Sequence, residues 1–377
     1  MLISMNLDVN VIDKKGDTPL HKSSALGYAE SVQLLLDNKA DIHLINMRGE
    51  SPLFKAAQNG HLGITKTLVE KGANVNLKSS IGETPLYVAS RGDYIDIVNF
   101  FLENGANVKE YDEYVGSALH IAARKNHIKI MKALLEKGAD TNLSTKHIES
   151  PLYIASLEGR HEAVKLLIEF KADPTKCGKD GRSPLCKAAW NGHFDAVKLL
   201  LTHNADPNKL SKYNESPLYK AARCGHKEIV ELLIEKGAKV NDCCSDFRSP
   251  LYKAAWQNHV EVVKVLLKNK ADPDIASEYF GSPLYRAAKE GHIETVKVLL
   301  ECTNPPCNIN LQSKDKETAL YAAAKMGHAN IVELLLRKQA NSSIKDKQNE
   351  TPLQAAECRG HSAVVNILKN YQHVSSN

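Results

Sequence analysis

A triplet of Ser or Thr, then Pro, then Leu recurs along this 377-residue chain, and its spacing constrains the fold more than any other feature. The proline stands at positions 19, 52, 85, 151, 184, 217, 250, 283 and 352. Alanine replaces it at 118 and 319, so the slot occurs eleven times, every 33 residues except for a three-residue insertion before the tenth copy. A fixed period of this length predicts a stack of small supersecondary units in place of separate globular domains.

Each copy carries the signals of a helix pair. Ser or Thr precedes the proline slot in all eleven copies, which predicts an N-cap followed by proline in the first helical turn. Eight residues after the slot only Gly, Asn and Asp occur, which are the residues that tolerate a left-handed C-cap. A second apolar segment at helical spacing follows, such as the segment 229–233, and then a turn leads to an extended hairpin. The predicted fold class is all-α.

Three segments carry a family resemblance. Residues 17–21 (Asp-Thr-Pro-Leu-His), 60–61 (Gly-His) and 71–76 (Lys-Gly-Ala-Asn-Val-Asn) resemble the ankyrin repeat, and the resemblance extends from residue 13 to about 370. It implies an α-solenoid with a helix-turn-helix and a β-hairpin loop in each repeat, the hairpins and first helices lining a concave face. The repeats are expected at 13–45, 46–78, 79–111, 112–144, 145–177, 178–210, 211–243, 244–276, 277–312, 313–345 and 346–369.

The ends and two internal features depart from the pattern. Residues 1–12 are interpreted as the remnant of a preceding repeat or as a lead whose apolar residues cover the open end, and 370–377 as a polar tail. Paired prolines in the insertion at 302–307 predict an extended bulge. A left-handed lysine costs about 1 kcal/mol, so some of the turns that lack the usual glycine after the second helix are expected to be reshaped. These turns carry Lys39, Lys171, Asn204, Lys270 and Gln339.

Composition and the ends of the chain bear on where the protein acts. No apolar run approaches the ~20 residues that a membrane-spanning helix needs, so no membrane insertion is expected. The first five residues lack the basic start and apolar core of a secretory signal, which predicts a cytoplasmic location, with the nucleus as the alternative. Eight cysteines are then free thiols. A net charge of +5 does not by itself indicate nucleic-acid binding, and we expect a monomer.

No motif for catalysis or metal binding is present. The sequence lacks a phosphate-binding glycine loop, a His-Glu-x-x-His motif and a Cys-x-x-Cys pair, so we predict no enzyme activity, no cofactor and no metal. Histidine recurs for a structural reason, since it occupies one repeat position in eight copies and the motif position in two more. These residues are His61, His127, His193, His226, His259, His292, His328 and His361, with His21 and His120. Tyrosines that replace the motif histidine are also interpreted as mainly structural.

Functional information has to come from positions that the fold leaves free. Residues three and six after the proline slot are expected to face the groove, because a rotation of about 100° per residue turns them away from the buried leucine. Of these 22 residues eleven are basic and none is acidic. Both tryptophans of the chain lie in the same rows. Tryptophan beside arginine is the composition of a binding hot spot.

The predicted site therefore lies in copies six to nine. It consists of Lys187, Trp190, Lys220, Arg223, Lys253, Trp256, Arg286 and Lys289. We predict a non-enzymatic protein-interaction scaffold or adaptor whose basic groove binds an extended acidic segment, or one with an aromatic anchor, of a partner protein. A purely structural interpretation stays open, in which each indole covers the neighbouring hairpin and the lysines are ordinary solvated residues. Two functional alternatives are a nucleotide or oligonucleotide sensor and an array that belongs to a larger enzyme, channel or toxin.

Overall fold

The computed structural model describes residues 8–277, 279, 281–302 and 304–374. The 22 helices among these residues form eleven consecutive pairs in two compact units, which meet in sequence between Lys179 and Asp180. The helices of the first unit are α1 (Pro19–Leu26), α2 (Ala29–Asp37), α3 (Pro52–Gln58), α4 (Leu62–Glu70), α5 (Pro85–Arg91), α6 (Ile95–Glu103), α7 (Ala118–Lys125), α8 (Ile128–Glu136), α9 (Pro151–Leu157) and α10 (His161–Glu169).

The second unit continues the same alternation of first and second helices. Its helices are α11 (Pro184–Asn191), α12 (Phe194–Thr202), α13 (Pro217–Cys224), α14 (Lys227–Glu235), α15 (Pro250–Trp256), α16 (Val260–Lys268), α17 (Pro283–Glu290), α18 (Ile293–Glu301), α19 (Ala319–Met326), α20 (Ala329–Arg337), α21 (Pro352–Cys358) and α22 (Ser362–Val374). The predicted all-α solenoid of helix-turn-helix repeats is thereby confirmed. Helix α22 continues five residues beyond the expected end of the last repeat at 369.

The helix ends form as the sequence predicts. Ser249, for example, has an extended backbone before α15, and its hydroxyl accepts a hydrogen bond from the Tyr252 N–H at 3.1 Å. Eight residues after the proline slot the backbone is left-handed in all eleven repeats, with φ between 58° at Asn258 and 82° at Gly291. The cap satisfies backbone groups that the end of a helix leaves without partners.

The expectation that non-glycine turns after the second helices are reshaped is wrong. Lys39, Lys171, Asn204, Lys270 and Gln339 keep left-handed backbones, with φ between 63° and 66°. The residue that follows each of them donates its N–H to a carbonyl of the last helical turn, as Ala271 does to Leu266 at 2.9 Å. Because packing of the repeat fixes this geometry, a local cost of about 1 kcal/mol is not enough to change it.

Each repeat buries its apolar side chains against its neighbours. Within each unit the first helices pack on one another in sequence order, as do the second helices. The leucine after the proline slot is fully buried in many repeats, for example at Leu20, Leu53, Leu185, Leu218 and Leu251. The alanines of the first helices are also buried, and their small side chains let adjacent helices approach closely.

The loops between repeats are hairpins with little strand structure. In the described residues the only ladder joins β1 (Tyr111–Asp112) to β2 (Gly116–Ser117) in antiparallel register, with Tyr111 opposite Ser117. The hairpins are instead tied to one another across repeats: Ser245 donates its N–H to the Tyr213 carbonyl at 3.0 Å, and Ser80 does so to the Arg48 carbonyl at 2.8 Å. This places the residues that precede each first helix beside the next repeat.

Several expectations concern the ends and the insertion. Helix α18 ends at Glu301, and Cys302 after it is extended, as expected for the bulge, while Thr303 lies outside the described residues. The apolar residues Leu2, Ile3 and Met5, expected to cover the open end, also lie outside them. No described helix combines the length and apolar character needed to span a membrane.

Candidate interaction surface

The histidines of the repeat perform a structural task, as the sequence predicts. A ring nitrogen of His226 lies 3.1 Å from the Trp190 carbonyl, and that of His292 lies 3.0 Å from the Trp256 carbonyl. In each case the imidazole bonds the end of the preceding repeat's first helix. His61, His127, His259, His328 and His361 make the same kind of contact. The buried tyrosines are structural too: the Tyr321 hydroxyl donates to Asp346 at 2.8 Å.

The eight predicted site residues come from four neighbouring helices of the second unit, and we call them together the first-helix surface. Each of these helices contributes two residues, three positions apart, and α11, α13, α15 and α17 pack against one another in that order. The pairs are Lys187 with Trp190, Lys220 with Arg223, Lys253 with Trp256, and Arg286 with Lys289. The structure therefore brings the predicted residues together on successive repeats.

Both indoles are half-buried and have cations over their rings. The ammonium of Lys220 lies 4.2 Å from the ring centroid of Trp190, and the guanidinium of Arg182 lies 4.9 Å from it. The Trp190 ring therefore contacts cations of the protein itself. Both contacts are cation–π interactions, and the one from Lys220 joins repeat seven to repeat six.

The second indole repeats the arrangement with different partners. The ammonium of Lys253 lies 4.2 Å from the ring centroid of Trp256, and the guanidinium of Arg286 lies 4.1 Å from it. Tyr252 adds an edge-on contact, its ring centroid 6.0 Å from that of Trp256. Trp256 is thus held between its own helix and the next first helix.

The lysines of this surface are not ordinary solvated residues either. Only 1% of Lys220 and 5% of Lys253 is exposed. Their position three residues after the proline slot lies against the neighbouring hairpin and indole instead of pointing freely into solvent. Burial of an ammonium without a partner is unfavourable, so the surroundings of each lysine decide its role.

The basic residues three and six positions after the proline slot are mostly neutralised by carboxylates at other positions of the repeat. Seven of the eleven basic residues have an ion-pair partner, most often on the preceding hairpin. The pairs are Lys22 with Asp13, Lys55 with Glu50, Arg91 with Glu83, Lys187 with Asp180, Lys220 with Glu215, Arg286 with Glu290, and Lys325 with Glu317. A count restricted to the rows overstates the available positive charge.

Lys220 illustrates a complete internal pair. Its ammonium lies 2.7 Å from one oxygen of Glu215, whose other oxygen accepts a hydrogen bond from Arg182 at 2.7 Å. Burial pushes the pKa of Glu215 up, but the hydrogen bonds from Lys220 and Arg182 outweigh it and hold that pKa below its usual value. Burial lowers the pKa of Lys220, and Glu215 opposes part of this shift.

Lys253 occupies the same position one repeat later without such a carboxylate. In place of Glu215 its hairpin carries Arg248, which is itself paired with Asp246. Among the described residues no carboxylate lies at ion-pair distance from the Lys253 ammonium. Burial, followed by the positive charges of Arg248 and Arg223, lowers the pKa of Lys253 to about 8.

Sequence reasoning missed Arg182 and Arg248, although a signal was present. Two residues before the proline slot seven repeats carry an acid, at Asp17, Glu50, Glu83, Glu149, Glu215, Glu317 and Glu350. Only repeats six and eight carry arginine there, and these are also the two repeats with tryptophan. The coincidence of the two exceptions marks the same part of the surface.

Exposed aromatic residues stand on the hairpins of repeats seven to nine. Tyr213 is 58% exposed, Phe247 64% and Tyr279 66%. Phe247 also has a φ of 57°, in the left-handed region that Gly49 and Gly181 occupy at the same position of other repeats. An exposed phenylalanine in that conformation is costly for the fold, and such residues cluster at functional sites.

The surface offers no grouping of metal ligands. Three or more His, Cys, Asp or Glu side chains able to hold an ion do not come together anywhere in the part of the chain that the structure describes. The chemistry of the surface is that of ammonium, guanidinium and aromatic groups, which suits recognition of anionic and apolar groups.

Comparisons with known proteins agree with this architecture. A family model for three copies of the ankyrin repeat matches residues 1–79, 77–145, 119–211, 205–277 and 281–377, and one for many copies matches 257–300. The solved crystal structure of the human ASB11 ankyrin repeat domain is similar, with 27% identity and a TM-score of 0.55. The similarity covers 59% of this chain and 99% of that one. No curated protein sequence matches the chain. Ankyrin repeats are protein–protein interaction modules, and this chain belongs to the ankyrin-repeat family.

Proposed function

We propose that the second unit is a non-enzymatic scaffold that binds an extended acidic segment of another protein along the first-helix surface. The observation that supports it best is that Arg223, Lys253 and Lys289 have no carboxylate at ion-pair distance among the described residues. Arg223 is exposed and Lys289 is half-buried, so both can contact a ligand at the surface, and hydrogen bonds to carboxylates are stronger when the donor is charged. Complementary charge also accelerates association.

The apolar part of such a segment would contact the hairpins. Trp190 and Trp256 are half-buried, whereas Tyr213, Phe247 and Tyr279 are mostly exposed. Two of these exposed rings also have a cation near one face: Arg182 lies 5.6 Å from the ring centroid of Tyr213, and Lys314 lies 4.0 Å from that of Tyr279. These three lie on the hairpins of consecutive repeats. Tyr213 lies beside Arg182, and Phe247 precedes Arg248, so a segment with acidic residues beside aromatic or aliphatic ones fits both features. Buried aromatic contacts would then supply much of the affinity.

A labelled acidic peptide with interspersed leucines tests the proposal. Its binding should be measured by fluorescence anisotropy with the full chain and with the Arg223→Glu, Lys289→Glu double variant. We expect the variant to weaken binding by at least about tenfold, because two favourable charge contacts become repulsive. The affinity should also fall as salt is raised, since the charges are partly exposed.

Two controls give the experiment its meaning. The Lys198→Glu, Lys268→Glu double variant makes the same change of net charge on the exposed faces of α12 and α16, away from the first-helix surface. Equal weakening in the control and test variants would contradict the proposal, because net charge alone would then explain the binding. A peptide of the same length with basic residues should not bind.

The oligonucleotide alternative is decided by the same assay. Its support is the presence of aromatic rings beside cations, on which bases can stack. A labelled single-stranded oligonucleotide that binds more tightly than the acidic peptide, and whose affinity falls steeply with salt, would replace the protein segment as the proposed ligand.

A further inference from the structure

The repeats share an internal pairing rule. A lysine three residues after the proline slot binds a carboxylate on the hairpin of its own repeat: Glu50 lies 2.5 Å from Lys55, and Glu215 lies 2.7 Å from Lys220. In repeats one and six the carboxylate comes from another hairpin position, since Lys22 pairs with Asp13 and Lys187 with Asp180. The rule explains how a lysine is accommodated against the neighbouring hairpin, since its charge is neutralised within the repeat.

Repeat eight breaks this rule while keeping the lysine. Arg248 replaces the acid, and Asp246, the nearest acid on that hairpin, pairs with Arg248. Lys253 remains 5% exposed, with its ammonium over the Trp256 ring, and no carboxylate of the described residues lies at ion-pair distance from it. A cation in this state has lost most of its hydration without gaining a counterion.

The geometry points to Lys253, together with Arg248 and Arg223, as an anion-binding site that takes a carboxylate or phosphate group carried by the partner segment. The inference rests on the proposed function, because it assigns the position at which the acidic segment is held. The missing hairpin carboxylate of repeat eight would be supplied by the ligand. Arg248 and Arg223 would add charge-assisted contacts around it.

The site is expected to depend on pH in a defined direction. Raising the pH through about 8 removes the proton from Lys253, so anion binding should weaken. Several charged or titratable groups from the surrounding elements face this position. These are Arg248, Asp246 and Cys244 of the hairpin, Lys220 and Arg223 of α13, and Arg286 of α17 with its partner Glu290.

Trp256 provides a reporter for small anions. In a Trp190→Phe variant it is the single tryptophan of the chain, and its ring contacts the Lys253 ammonium. Titration with inorganic phosphate and, separately, with acetate should change its emission in a saturable way. The two anions distinguish a phosphate from a carboxylate ligand. Adding Lys253→Met should raise the apparent Kd by about 10- to 100-fold, as expected for loss of a hydrogen bond to a charged group.

Repeat seven supplies the matched control. In a Trp256→Phe variant the remaining Trp190 reports on Lys220, which lies at the same 4.2 Å from its ring but is paired with Glu215. We expect no saturable response there. Equal responses of the two tryptophans, or no response of Trp256 to either anion, would overturn the inference.

A second variant tests the site without removing the lysine. Arg248→Glu restores the acid that other repeats carry at this position, so Lys253 gains an internal partner and the phosphate and acetate responses of Trp256 should disappear. A persistent response would contradict the inference. These probes are small ions, so the two proposals can fail separately. If Trp256 does not respond to phosphate or acetate but the acidic peptide still binds, the anion site is wrong and the proposed function stands. If Trp256 responds but the peptide does not bind, the anion site stands and the proposed function is wrong.

Discussion

Repeats seven and eight of the second unit are built on the same frame and differ in charge at the hairpin residue two positions before the proline slot. Repeat seven has Glu215, and Lys220 is neutralised within the protein at 2.7 Å. Repeat eight has Arg248, and Lys253 is buried beside positive charge with a pKa of about 8. Their backbones are alike, with the Ser216 and Ser249 caps and the proline-led helices α13 and α15.

The difference shows how a repeat protein can separate stability from recognition. The lysine of repeat seven is part of a satisfied buried pair, and removing either partner would leave an uncompensated charge. The lysine of repeat eight carries that unfavourable state already. Within the described fold the Lys253 ammonium contacts the Trp256 ring and has no carboxylate at ion-pair distance, which is the state that the proposed anion would relieve.

The largest expected effect concerns repeat seven, in which Lys220 is paired with Glu215. Glu215→Gln leaves Lys220 and Arg182 without their carboxylate, and we expect it to lower the free energy of unfolding by about 3 kcal/mol, the usual cost of breaking a buried pair. Urea denaturation at pH 7, followed by tryptophan fluorescence, measures the change.

Asp246→Asn is the control for that experiment. It also removes a partner of an arginine, but Asp246 is 52% exposed, so its loss should cost no more than about 1 kcal/mol. Similar losses in the two variants would mean that the Lys220–Glu215 pair is not a structural element of repeat seven.

The second prediction concerns repeat eight, in which Lys253 has no carboxylate partner among the described residues. Lys253→Met should raise the free energy of unfolding by about 1–2 kcal/mol at pH 7, because it replaces an unpaired charge by an apolar chain of similar length. Lys220→Met should lower it, since Glu215 loses its partner. Denaturation of the three proteins under the same conditions decides the matter, and a loss of stability in Lys253→Met would show that its ammonium has a stabilising partner.

The gain should depend on pH with a definite sign. The pKa of Lys253 is lower in the folded state than in the unfolded chain, so the folded protein binds fewer protons between about pH 8 and the ordinary lysine value of 10.5. The contribution of Lys253 to the free energy of unfolding of the unmodified protein therefore rises across that interval. The advantage of Lys253→Met should be full below pH 8 and should shrink toward pH 10. A gain that is constant from pH 7 to pH 10 would contradict the lowered pKa.

The sequence predicts the frame of both repeats well and their charge balance poorly. Caps, helix starts and left-handed turns follow from residues adjacent in sequence, such as Ser249 before Pro250, so local chemistry suffices. Lysines in left-handed turns were misjudged because stacking against neighbouring repeats, which outweighs the local cost, is not a local property.

The sequence predicts that the candidate residues share one row, but it does not predict which of them form ion pairs. Helical geometry places Lys220 and Lys253 in one row, yet whether each is neutralised depends on a hairpin residue five positions earlier, Glu215 or Arg248. A two-row count ignores that residue. Aligning the hairpins as well as the helices singles out repeats six and eight, which carry Arg182 and Arg248 where seven repeats carry an acid.

The smallest expected effect concerns the hairpin tips of the same two repeats. At one position repeat seven has Asn214, with a φ of 54°, and repeat eight has Phe247, with a φ of 57°. Asparagine tolerates the left-handed region, whereas phenylalanine does not, so Phe247→Asn should raise the free energy of unfolding by about 1 kcal/mol. Tyr213→Asn, at a neighbouring exposed position without positive φ, should leave stability nearly unchanged.

If Phe247 is retained for binding, its replacement should weaken binding of the leucine-containing acidic peptide several-fold even though the fold becomes more stable. Anisotropy and urea denaturation on the same preparations measure both quantities. A variant that gains stability and binds the peptide as well as the parent would remove Phe247 from the interaction surface and leave the basic groups of repeat eight to account for recognition.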